Sequence, residues 1–199
     1  MQFHRRRSVP MHADYQRYRP ILREDFRQFC AYCVRHEYEI GGDENYEIDH
    51  YRPQSLFREL VNRYANLYYC CRGCNRNKGE RWPSRGLLAR GYRFFDPIAE
   101  DAYKVHLREG RDGLLIARTK VGEYSLDCLR LNRGILQWLR RTRNQQRDRI
   151  VRELRKVKGF LDSLSRRRQQ PSQATLAKLE RLKTELRASP ILSVTPNKL

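Results

Sequence analysis

The apolar positions after Ile135 fall into a helical rhythm. Ile150, Leu154, Val157, Leu161 and Leu164 recur at alternating four- and three-residue steps, which places them on one face of an α-helix. After the break "QQPSQ", Leu176, Leu179, Leu182 and Leu186 repeat the pattern, so a helical hairpin is predicted, with Ser172 as the N-cap of its second arm. Upstream the period shortens to two. Tyr46, Ile48 and His50 alternate with polar residues, as in a strand that ends in a turn at Pro53. "YKVHLRE" and "LLIARTK" flank the turn "GRDG" and read as a β-hairpin. His106 then lies in its first strand with no obvious partner, as a structural residue. "LREDFRQF" and "GEYSLDCLRLNRG" read as helices, and "GERWPSRG" as a loop. The mixture is that of an α+β protein.

Charge changes the picture most. Lys and Arg number 42 against 23 Asp and Glu, a net charge of +19. Such an excess favours an anionic partner, and nucleic acid leads because neutralising phosphates releases counterions whatever the sequence. Between Arg130 and Arg168 fourteen cations face three acids, including Arg147, Arg152 and Arg155 on the first predicted arm of the hairpin. A solvated coiled-coil face would mix the signs. A nucleic-acid clamp is therefore expected there, with an acidic protein partner as the competing reading. The arginines of the first 29 residues, Arg5, Arg6, Arg7, Arg17 and Arg19, could likewise track a phosphate backbone or tie the arm to a partner. No apolar run has signal-peptide or membrane-span length, so a cytoplasmic protein without membrane contact is expected.

In a reducing compartment cysteines serve as ligands or spare thiols rather than as disulfides. Cys30 and Cys33 form one C-x2-C pair, and Cys71 and Cys74 form another. Four thiolates so spaced suit tetrahedral zinc, and a closed four-sulfur shell leaves no position for water, so the zinc is expected to be structural. Cys70, beside a ligand, should point away from the metal if it lies on a strand. Cys128 is expected to be a buried small residue.

The segment between the pairs holds the candidate chemistry. On a strand Asp49 and His50 face opposite ways, so one can bind a metal while the other meets the substrate. Asn66 then precedes Leu67, and Asn75 follows Cys74 directly. "Asp-His … Asn-Leu … Cys-x2-Cys-Asn-x2-Lys", with an upstream Cys-x2-Cys, resembles the HNH endonucleases with a zinc-stapled ββα-metal core, over about Cys30 to Lys78. That resemblance implies a hairpin followed by a helix, with one catalytic Mg²⁺ or Mn²⁺ at their junction. It implies Asp49 and Asn75 as ligands of that ion, His50 as general base and Asn66 as the residue that holds the loop and orients His50. Imidazoles suit the role of base because their ordinary pKa, about 6.5, leaves them mostly uncharged at neutral pH. Many members of the family have histidine where this chain has Asn75, which leaves the metal preference open. Arg52 and Lys78 are the phosphate contacts expected in this core, with a solvated helix face as the alternative for Lys78.

The stretch from "RFFDP" through "LNR" resembles, more loosely, the HNH proteins of bacterial anti-phage defence, the Septu and retron-associated types. This implies a large partner such as an ATPase. The expected organisation is a basic arm and short helix over 1–29, an HNH core over 30–96, a β-hairpin and helix extension over 97–134, and a basic helical hairpin over 135–199. The expected activity is metal-dependent hydrolysis of DNA. An RNA-directed nuclease, or a zinc-stapled nucleic-acid-binding or partner subunit that does not cut, are the alternatives.

Overall fold

The computed structural model describes residues 3–167 and 169–188; Arg168 lies outside them, as does the end of the chain from residue 189, and the side chain of Leu186 is likewise not described. A first helix, α1 (Arg19–Asp25), has Pro20 in its opening turn, where a missing N–H costs nothing. It stops at Phe26, and Arg27 and Gln28 take left-handed backbone angles (φ 50° and 64°) that turn the chain toward Cys30. β1 (Tyr46–His50) pairs antiparallel with β2 (Leu67–Cys71), with Asp49 opposite Tyr68 and His50 opposite Leu67. α2 (Arg72–Lys78) follows β2 without a break and ends at Gly79. The period-two reading of residues 46–50 thus meets a strand of the same span.

Next come α3 (Arg85–Ala89), capped by the Ser84 hydroxyl, and α4 (Ala102–Val105). The second hairpin is shorter than its pattern: β3 (Leu107–Glu109) pairs with β4 (Leu115–Ala117), and residues 102–105 are helical instead. His106 accordingly caps α4 rather than sitting in a strand, and it has partners. Its Nδ1 lies 2.7 Å from the Thr119 hydroxyl and its Nε2 2.9 Å from Glu100. Arg93 grips the same carboxylate with two hydrogen bonds, which together with His106 outweighs burial and holds Glu100 down at a pKa of about 2. α5 (Lys120–Cys128) is capped by Thr119.

The two-armed C-terminal pattern is α6 (Gly134–Arg166) and α7 (Gln173–Ala188). At 1.5 Å per residue α6 is about 50 Å long. Its first turns pack on the second hairpin, where Gly113 (φ 80°) is required. A Cβ there would stand 2.4 Å from the Gln137 carbonyl oxygen. Farther along, Val157 and Leu182 are buried between α6 and α7, and the Ser172 hydroxyl accepts from the Thr175 amide.

The N-terminal arm packs on the core. Phe3 is buried, and the Arg5 guanidinium donates to the carbonyls of Tyr64 and Leu67. Arg6 pairs with Glu24 and Asp25, and Arg19 donates to the carbonyls of Tyr46 and Asp43. These arginines therefore hold the arm in place. No helix among the described residues is long and apolar enough to cross a membrane.

Candidate active site and metal centre

Cys30 and Cys33 lie on a tight knuckle, closed by hydrogen bonds from Cys30 N to Arg35 O and from Val34 N to Cys30 O. Cys71 caps α2 and Cys74 sits in its first turn. All four thiols are buried, and their sulfurs lie within 4.8 Å of one another, with Cys33 and Cys71 at 3.7 Å. Zinc–sulfur bonds of about 2.3 Å in a tetrahedron put sulfurs about 3.8 Å apart, so the four cysteines fit zinc. Hydrogen bonds from Cys30, Cys33 and Cys74 hold the Cys71 thiol far below its ordinary pKa, while burial pushes Cys30 up. Arg133, at the start of α6, donates to the sulfurs of Cys74 (3.3 Å) and Cys71 (3.7 Å). Its guanidinium passes over Gly73, where a Cβ would stand 3.1 Å from Nη2. Cys70 belongs to the opposite face of β2, and burial pushes its thiol up. Cys128 is only half-buried, against expectation, because its side of α5 opens on a cleft shared with Arg81.

Along β1 the alternation separates Asp49 from His50. His50 is 8% exposed. Its Nε2 lies 3.0 Å from the Val61 carbonyl oxygen, and the Tyr15 ring stands edge-on to the imidazole at 4.7 Å. A carbonyl can only accept, so Nε2 carries a proton, and in the neutral imidazole the lone pair is then on Nδ1. Asn66 latches the loop that supplies this carbonyl. Its Oδ1 accepts from Arg52 N (2.9 Å), and its Nδ2 donates to Arg52 O (3.0 Å) and to Leu60 O (3.4 Å), one residue before Val61.

The other face of β1 meets α2. The Asp49 carboxylate is buried between the Tyr32 hydroxyl and the Lys78 ammonium, the latter at 3.0 Å. Burial, with the Asp49 charge adding to it, pushes the Tyr32 hydroxyl well above its ordinary pKa. Lys78 donates also to the His50 carbonyl at 2.6 Å and is 0% exposed. It is therefore not the phosphate contact expected of it. Asn75 and Lys78 stand three residues apart on one face of α2, and that face lies against β1. Asn75 donates to Glu47 Oε2 (2.7 Å), and Arg72 holds the other oxygen of Glu47 (3.0 Å). The oxygens of Glu47, Asp49 and Asn75 thus share one side of the sheet. In kind they fit a hard divalent ion, although the lysine and the tyrosine already occupy Asp49. Glu47 was open to a reading of the pattern, two residues before Asp49 on a strand. The Val61 carbonyl and Tyr15 leave no such trace.

Arg52 is exposed, with its guanidinium over the rings of Phe57 (5.4 Å) and Trp82 (5.8 Å). Arg152 and Arg155 are exposed on α6, and Arg147 is half-buried, 3.9 Å from Asp148. None of these three touches His50, Asp49 or Asn75 among the described residues.

Comparison with known proteins now adds a class. Residues 30–84, from the first cysteine to just past α2, match a family model described as HNH endonuclease. The segment with the four cysteines, Asp49, His50, Asn66 and Asn75 is thus similar to the HNH endonucleases. No curated protein and no solved structure matches the chain.

Proposed function

We propose that the protein is an endonuclease that hydrolyses phosphodiester bonds of DNA at His50, with a divalent ion, Mg²⁺ or Mn²⁺, held by Asp49 and Asn75. The observation that carries this reading is the imidazole itself, fixed through Nε2 by the Val61 carbonyl so that Nδ1 is free to take a proton from water. Asn66 is the positioning residue, acting on His50 through the loop it latches. The ion would stabilise charge developing on the scissile phosphate and the leaving oxygen. Arg52 and the exposed cations of α6 would hold flanking phosphates. The four cysteines would hold a zinc that fixes the start of α2 and so the place of Asn75. A role in anti-phage defence and an ATPase partner belong to the same proposal and rest on the resemblance of the downstream region; a cytoplasmic setting belongs to it on the pattern of apolar runs alone.

A second reading has its own observation. The Asp49 carboxylate is engaged by Lys78 and Tyr32, as in a module that binds nucleic acid without cutting it. Purified protein incubated with supercoiled plasmid and Mg²⁺ or Mn²⁺ separates the two. The nuclease should nick or linearise the plasmid, and His50→Ala should be about 10²–10⁴-fold slower while still binding DNA. Equal behaviour of wild type and His50→Ala would leave the non-cutting module. Matched all-deoxy and all-ribo substrates decide between DNA and RNA.

A further inference from the structure

A cleft of about 390 Å³ opens on the outer side of α2, between that helix and the turn joining α5 to α6. It is lined by Arg76, Asn77, Arg81, Asp127, Cys128 and Arg130. Arg81 braces its walls, donating to the carbonyls of Asn77 on α2 and Cys128 on α5. Arg76 and Arg130 are exposed, and neither side chain has a hydrogen-bond or ion-pair partner among the described residues. Three guanidiniums against the single carboxylate of Asp127 make a cationic cleft with two unsatisfied forks. Arg5, Arg19, Arg72 and Arg93, by contrast, are held by carbonyls or carboxylates.

We infer that this cleft is a phosphate-binding subsite for the backbone of a nucleic-acid strand. The inference rests on the nuclease reading of the His50 site. Guanidinium forks match phosphate oxygens two at a time. Arg76 follows Asn75 directly on α2, so one short helix carries both the candidate ion ligand and a wall of the cleft. A strand whose backbone meets the Asn75 side of that helix can continue along it into the cleft.

The test is binding of a labelled DNA duplex by zinc-loaded protein without Mg²⁺ or Mn²⁺, titrated with salt. Arg76→Glu with Arg130→Glu should weaken binding at least tenfold at low salt. It should also flatten the slope of log K against log salt by about 1.8, roughly 0.9 for each phosphate no longer neutralised. Arg76→Gln with Arg130→Gln gives the same direction without reversed charge, should the first pair fold poorly. Cys128 supplies an independent readout. Of the six cysteines, four form the metal corner and Cys70 is buried, so a small maleimide at mildly alkaline pH reports on Cys128. DNA should slow its labelling severalfold. An unchanged slope together with unprotected Cys128 overturns the subsite, and leaves the nuclease reading standing if wild type still binds DNA. Wild type that binds no nucleic acid removes that reading itself, and the subsite with it.

Discussion

Arg5 and Arg155 carry the same guanidinium and use it in opposite ways. Arg5 lies in the core, donating to the carbonyls of Tyr64 and Leu67 with its guanidinium carbon 4.6 Å from the Tyr68 ring centroid. Arg155 stands exposed on α6 without an ion pair among the described residues. The contrast extends to their neighbourhoods. In the core Arg23 grips buried Glu37, Arg93 grips Glu100, and Arg133 serves the cysteine sulfurs. Along the middle of α6 the cations of Arg149, Arg152, Arg155 and Lys158 face solvent. The second group, like the exposed Arg52, Arg76 and Arg130 of the core, is within reach of an anionic partner, whereas the first is committed to internal contacts. The boundary runs through α6, because Arg140 is fully buried, donating to Gly113 O and Leu131 O.

If inward charge builds the core, removing the zinc proposed for its four cysteines should have the largest effect. Cys74→Ser, or a strong chelator, should lose zinc and the cooperative unfolding transition together, because in small metal sites binding free energy is folding free energy, about 10–16 kcal/mol in zinc-finger peptides. Metal analysis and thermal unfolding give the readout. Well-folded wild type without zinc would break the comparison at its base.

A smaller effect is expected from the Asp49–Lys78 pair. Removing one partner of a buried ion pair leaves a charge uncompensated and costs about 3–5 kcal/mol. Lys78→Met should therefore lower the urea midpoint strongly, measured with zinc but without Mg²⁺ or Mn²⁺. Asp49→Asn added to Lys78→Met should recover part of the loss, because the uncompensated charge goes with it. Independent, additive losses would mean that the two side chains do not act as a pair. Asp49 would then be free to serve an ion in the resting protein.

Lys78 also marks where the sequence stops being legible. The cysteine pairs are readable because a C-x2-C turn is local and its chemistry needs no partner to be recognised. β1 is readable from its period of two, and α6 and α7 from theirs. Asn66 and Asn75 are readable only as members of a motif. Whether Lys78 faces solvent or Asp49 depends on how α2 seats on β1, an interaction between residues 29 apart. Arg133 reaches sulfurs 59 and 62 residues away, and Tyr15 covers His50 from an arm whose pattern is merely basic. His106 escapes the strand pattern for a related reason: Glu100 and Thr119 hold it at the end of a helical turn, and neither lies within a strand period of it. Each of these features depends on side chains distant in sequence, to which neither period nor composition is sensitive.

The outward cations give the smallest effect on stability and the cleanest separation of the two regions. Reversing Arg149, Arg152 and Arg155 to Glu alters exposed side chains without polar partners among the described residues, so unfolding should shift by no more than about 0.5 kcal/mol per site. Some gain is even expected where repulsion along α6 is relieved. The same variant should weaken DNA binding and flatten its salt slope by roughly 0.9 for each phosphate it ceases to neutralise. Arg140→Gln on the same helix should do the reverse. It removes donors to two buried carbonyls, so stability should fall by about 1–3 kcal/mol, and the salt slope of the remaining folded protein should stay as it was. The pair of measurements reads inward against outward charge within a single helix. A triple reversal that leaves the slope unchanged while abolishing capture of an acidic protein partner would assign the outward face of α6 to docking, and the core alone would then have to hold the nucleic acid.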